Sequence, residues 1–104
     1  MTVTRADQAP WFSEMERLRH FRKHGARLGT PTVEAYDRSA RGTIRAGRRF
    51  TYHDPEKAEA RVGYYDMRRE RLTMLTDDES VIVSHFSCAA RYVRRLPASD
   101  YQRW

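Results

Sequence analysis

The hydrophobic repeat of this 104-residue chain changes once, at Gly47, and that change constrains the fold more than any other feature. Before Gly47 the apolar residues fall at helical spacing: Phe12, Met15, Leu18 and Phe21, then Val33, Tyr36, Ala40 and Ile44. Ser13 with Glu16 reads as a capping box, so a first helix of about three turns runs toward a stop at Gly25 or Gly29. Thr30-Pro31 supplies an N-cap and a first-turn proline for a second helix, which Gly47 closes. Beyond Gly47 the period drops toward two. Phe50 and Tyr52 precede the Asp54-Pro55 turn, and Arg61–Met67, Leu72–Thr76 and Val81–Phe86 are separated by Arg69-Glu70 and Asp77-Asp78-Glu79. Two helices followed by a β-meander make an α+β domain, with the helices packed on one face of a small antiparallel sheet. Cys88–Leu96 has room for a last helical turn or two before Pro97.

The length holds one domain with one modest core. Residues 1–10 carry no periodicity and read as a flexible N-terminal arm; residues 11–104 read as the single folded domain. A hydrophobic fraction of 39% with 12% aromatics supports a small core under a polar surface, against simple disorder. No run approaches the roughly 18 apolar residues of a membrane helix, and the first residues lack the order of a signal peptide. The expectation is a chain with no export signal of its own, acting in the cytoplasm. The single cysteine, Cys88, has no partner for an internal disulfide.

Charge narrows the function. Lys and Arg number 20 against 14 Asp and Glu, a net charge of +6, and every cation except Lys23 and Lys57 is arginine. The planar guanidinium fork fits phosphate, which points to RNA or DNA as partner. Arg38, Arg41, Arg45, Arg48 and Arg49 follow one another with no acid between them, as a one-sided basic surface would require.

Two segments hold residues that carry chemistry. In His20–Gly29, His20 and His24 share a helical face beside Lys23 and Arg27. Two imidazoles four residues apart invite a zinc reading. Against it, Phe21 stands where a zinc-protease helix has its glutamate, no third ligand type is evident, and Arg22 and Lys23 repel a divalent cation. No metal or other cofactor is expected. A histidine flanked by cations is instead suited to exchanging a proton with a ribose hydroxyl while its neighbours neutralise a phosphorane-like transition state. In Ser80–Ser87, strict alternation puts Ile82, Ser84 and Phe86 on one face and Val81, Val83 and His85 on the other. Ser84 then hydrogen-bonds a phosphate and Phe86 stacks a base, with an ordinary edge strand as the plain alternative.

These residues together carry a resemblance. The H-x-x-K-H-G ending of the first helix (His20–Gly25), the segment Thr32–Tyr36 opening the second, and Gly63–Asp66 with Val81–Phe86 in the meander resemble the colicin D-like and CdiA C-terminal toxin branch of the barnase, EndoU, colicin and RelE-like nuclease fold. The likeness spans about residues 18–86. It implies a metal-independent ribonuclease, often directed at transfer RNA, that is made with an acidic immunity or antitoxin protein. By position, His24 matches the catalytic histidine, Lys23 its neighbouring lysine, and Ser84 the late-strand serine or threonine. Arg22 maps more loosely, and Phe86 replaces a tryptophan while preserving an aromatic face. The expected activity is RNA cleavage by 2′-hydroxyl transesterification. His24 is the acid or base, Lys23 with Arg22 or Arg27 offsets phosphate charge, Ser84 holds a phosphate oxygen, and Arg45, Arg48 and Arg49 track the RNA backbone. Two other readings use the same surface: a noncatalytic nucleic-acid-binding or regulatory module, and an interaction module for an acidic protein.

Overall fold

The computed structural model describes residues 5–101. Helix α1 (Glu14–His24) and helix α2 (Val33–Ala46) precede strands β1 (Arg48–His53), β2 (Ala60–Asp66), β3 (Arg71–Thr76) and β4 (Ile82–Ser87), and a short helix α3 (Ala90–Arg95) ends the fold. The strands form one antiparallel sheet in the order β1-β2-β3-β4. This is the α+β meander that the change of period predicts.

Local chemistry fixes the helix ends. Ser13 Oγ accepts from the Glu16 amide at 3.1 Å, but the Glu16 carboxylate turns to Arg19 rather than completing the box. Helix α2 begins slightly later than expected. Its N-cap is Thr32, whose Oγ1 accepts from the Ala35 amide at 3.1 Å, while Thr30 donates its hydroxyl back to the Gly25 carbonyl at 2.9 Å. The connection between the helices reverses at Gly29, whose φ of +69° a side chain would strain.

The sheet is covered on both faces, not one. On the first face Tyr36, Ala40 and Ile44 of α2 pack with Leu75 and Ile82. On the second, Val93 and Leu96 of the α3 region pack with Phe50, Tyr52, Tyr65 and Leu72, and Tyr101 stands edge-on to Phe50 and Tyr65. The Phe50 ring lies over Gly63, in space that any β-carbon there would occupy.

Helix α1 lies beside α2 and β4 and buries less than its apolar spacing implies. Phe12, which precedes the helix, and Met15 in its first turn are 78% and 77% exposed, while Phe21 near its end packs against the α2 core. The N-terminal arm also departs from expectation. Residues 1–4 lie outside the described residues, but Ala6–Gln8 form a single 3₁₀ turn, and Asp7 and Ala9 are buried. Charge pairing that periodicity does not register holds this segment. Asp7 accepts from Arg5 and Arg45, and Arg41 donates to the backbone carbonyls of Asp7 and Ala9. The Ile82 amide then donates to the Pro10 carbonyl at 2.8 Å, and Trp11 bridges in parallel to Ile82 at the free edge of β4.

Candidate active site

Strand β4 does not alternate strictly, and its irregularity builds the site. Ser84 pairs with Met74 but Ile82 pairs with Leu75, so Val83 is an extra residue in a bulge. The bulge reverses the facing of the strand beyond it. Ile82 joins His85 on the α2 side, whereas Ser84 and Phe86 face the α3 side. The expectation that Ile82, Ser84 and Phe86 share a face is corrected for Ile82, and Val83, expected beside His85, lines the cleft with Ser84 and Phe86 instead.

Helix α1 closes one side of the space that Ser84 and Phe86 enter. A cleft of about 480 Å³ is lined by Arg19, His20, Lys23 and His24 from α1, and by Val83, Ser84 and Phe86 from β4. Met74, Tyr92 and Leu96 also line it, as do Asp54 and Glu56 of the turn after β1. The sequence separates His24 from Ser84 by sixty positions, and the packing of α1 on the β4 edge puts them in one cleft.

The two imidazoles are nearly parallel, 6.0 Å apart at 15°, and His24 leans on Phe86 with ring centroids 5.2 Å apart. Burial is the largest influence lowering the pKa of His24; His20 and the cations Lys23, Arg19 and Arg27 add to it, bringing it to about 4. His24 is therefore neutral at physiological pH. Burial and Arg19 also lower His20, with Glu16 opposing them. Nε2 of His20 lies 3.4 Å from Arg19 Nη2, a donor, and 3.5 Å from the Glu16 carboxylate, an acceptor. Its Nδ1 lies 3.3 Å from Ser84 Oγ, within hydrogen-bond distance. Ser84 itself is buried.

Of the residues expected in the site, His24, Lys23, Ser84 and Phe86 line the cleft, and Arg22 and Arg27 do not. Arg27 acts on it only through its charge at His24. The three backbone-tracking arginines lie elsewhere. Arg45 pairs with buried Asp7, Arg48 lies over the Tyr101 ring at 5.4 Å, and Arg49 pairs with Glu79. The acids that hold Arg45 and Arg49 are distant in sequence, so the acid-free run Arg38–Arg49 concealed their neutralisation. Sequence reasoning missed His20 as a partner of Ser84, and Tyr92, whose ring stands edge-on to Phe86 at 5.7 Å. The His20–His24 spacing was the available signal for the first; nothing local signals the second.

Among the described residues no group of three or more His, Cys, Asp or Glu is placed to hold a metal ion, and no helix is long and apolar enough to cross a membrane. No family model matches this chain, and neither a curated protein nor a solved structure matches it.

Proposed function

We propose that the chain cleaves RNA by internal transesterification in the cleft between α1 and β4. The observation that carries this reading is the convergence of a neutral His24, the ammonium of Lys23, the Ser84 hydroxyl and the Phe86 ring on one cleft with further aromatic and aliphatic side chains in its lining. A neutral imidazole takes the proton of a ribose 2′-hydroxyl, whose oxygen attacks the adjacent phosphorus as the bond from phosphorus to the 5′-oxygen breaks; the His24 imidazolium returns its proton to the departing 5′-oxygen, giving a 2′,3′-cyclic phosphate and a 5′-hydroxyl. Lys23 and Arg19 sit on the same wall and offset the charge that builds on the phosphate. The acids Asp54 and Glu56 repel phosphate from their part of the lining, which favours its approach to Lys23 and Arg19.

Ser84 has a conditional part. An arriving phosphate favours protonation of His20, whose Nδ1–H then donates to Ser84 and frees the hydroxyl to donate to a phosphate oxygen. Phe86 and Tyr92 offer faces to a base beside the cut. An RNA substrate, transfer RNA among the candidates, and an acidic immunity or antitoxin protein covering the basic α1 wall in the cytoplasm complete the proposal.

Purified protein incubated with total RNA and EDTA tests it. The wild type should generate defined new ends, and His24→Ala should slow their appearance at least 100-fold, on the order of the usual loss of a general base. RNA that is bound and protected without being cut would favour a noncatalytic binding module instead.

A further inference from the structure

A second pocket lies between α2, the α1–α2 connection and the start of β3. Its volume is about 370 Å³, its lining includes Arg38, Arg69, Arg71 and Ser39, and no Asp or Glu lines it. Two neighbouring arginines of α2 are neutralised, Arg41 by Asp37 and Arg45 by Asp7. Arg38 and Arg71 form no ion pair among the described residues, and Arg69 reaches Asp66 only at 3.8 Å with its side chain 62% exposed.

Arg71 is held rigidly. Its Nη1 donates to Ser39 Oγ at 2.8 Å and its Nη2 to the Leu28 carbonyl at 3.1 Å. Behind Ser39 stands His85, fully buried, its ring 2.8 Å from Ser39 Oγ through Nε2 and 2.9 Å from the Leu72 carbonyl through Nδ1. A carbonyl only accepts, so Nδ1 carries the proton and Nε2 accepts from the Ser39 hydroxyl. The Ser39 oxygen thus turns its lone pairs to Arg71. Of the roughly five guanidinium N–H groups an arginine carries, those beyond these two bonds remain for a ligand.

We propose that this pocket is a phosphate-binding site, in which Arg71 is the preset anchor and Arg38 and Arg69 close on the anion from the rim. A preorganised fork with two further guanidinium groups fits a tetrahedral dianion or phosphate ester. The site does not depend on the cleavage reaction, because it uses none of the residues of the His24 cleft.

The test is a titration of the ¹⁵N-labelled protein with inorganic phosphate, with adenosine monophosphate, and with a 2′-deoxy oligonucleotide that transesterification cannot cut, monitored at the Arg71 Nε–Hε signal. At least one probe should saturate that signal. Saturation by the small probes identifies a free phosphate or nucleotide as ligand, and saturation by the oligonucleotide alone identifies a strand phosphate. R38Q/R69Q, whose side chains support no fold contact beyond the long Asp66 pair, should weaken binding about tenfold, close to 1.4 kcal/mol. R71K keeps the charge and loses the fork, and should also weaken binding with its folded spectrum retained. R5Q/R17Q removes the same two charges elsewhere and should leave affinity within about twofold. Unsaturable shifts with every probe, or equal losses in R38Q/R69Q and R5Q/R17Q, would overturn the proposal.

Discussion

His24 loses its proton to its surroundings, and the pH profile should report it. With the folded pKa near 4, kcat/KM should stay flat as pH falls from neutrality and drop only as His24 protonates at about pH 4. Lys23→Met removes one of the cations that hold the proton off, so its acid limb should move to higher pH. An unmoved limb would mean that His24 is not the base. His20 and Ser84 act through one hydrogen bond, so each alanine variant should cost about tenfold and the double variant little more, the signature of coupled residues. Full additivity in that cycle would separate them. Cys88 is inert beside these groups, because burial pushes its thiol up to about 12.

Among the elements, β4 matters most, since one strand carries Ser84 and Phe86 to one cleft and sets His85 behind Ser39 on the opposite side of the sheet. Its outer edge is guarded by the chain around Pro10 and Trp11. Trp11 is 8% exposed, stacks on Tyr36 at 5.7 Å, and donates Nε1–H to Asp37 at 2.7 Å. Trp11→Ala should therefore cost about 3–5 kcal/mol in urea unfolding, as loss of a buried aromatic does. A cost below about 1 kcal/mol would mean that the contacts of Trp11 with Tyr36 and Asp37 do not hold this segment on the β4 edge. The helices and strands were legible because each satisfies a local period and the two long helices stop at Gly25 and Gly47; the start of α2 was not, since Thr32 rather than Thr30 caps it. The bulge at Val83 was not, since every residue of Val81–Phe86 suits a strand and only pairing with Met74 and Leu75 reveals the extra one. The clamp on the first residues escaped for a similar reason. It rests on Arg41, Arg45 and Asp7 meeting across more than thirty positions.

For the whole molecule, histidines buried in the neutral form set the response to acid. His85 is fully buried, and burial lowers its pKa to about 4 against the unfolded value of 6.5, while its bond to the Leu72 carbonyl opposes the shift. Between those values the unfolded chain binds a proton that the folded chain refuses. Stability is complete above the unfolded pKa and falls as pH drops toward the folded one, with His85 alone contributing on the order of 3 kcal/mol. His24 adds in the same direction, and the lowered carboxylates Asp7 and Asp37 lose their contributions further down. The urea midpoint should fall markedly from about pH 7 to about pH 4.5; an unchanged midpoint would show that these imidazoles are solvated.

The cleavage chemistry is tested most directly on the substrate. Without the 2′-hydroxyl next to the scissile phosphate, His24 has no nucleophile to deprotonate, whereas Lys23, Ser84 and Phe86 keep every contact. An oligonucleotide spanning a mapped cleavage site, with a single 2′-deoxy sugar at that position, should bind as tightly as the all-ribose strand and remain uncut. The all-ribose strand should leave a 2′,3′-cyclic phosphate and a 5′-hydroxyl. Undiminished cutting of the deoxy-substituted strand, or a 5′-phosphate on the all-ribose product, would contradict the roles given to His24 and Ser84.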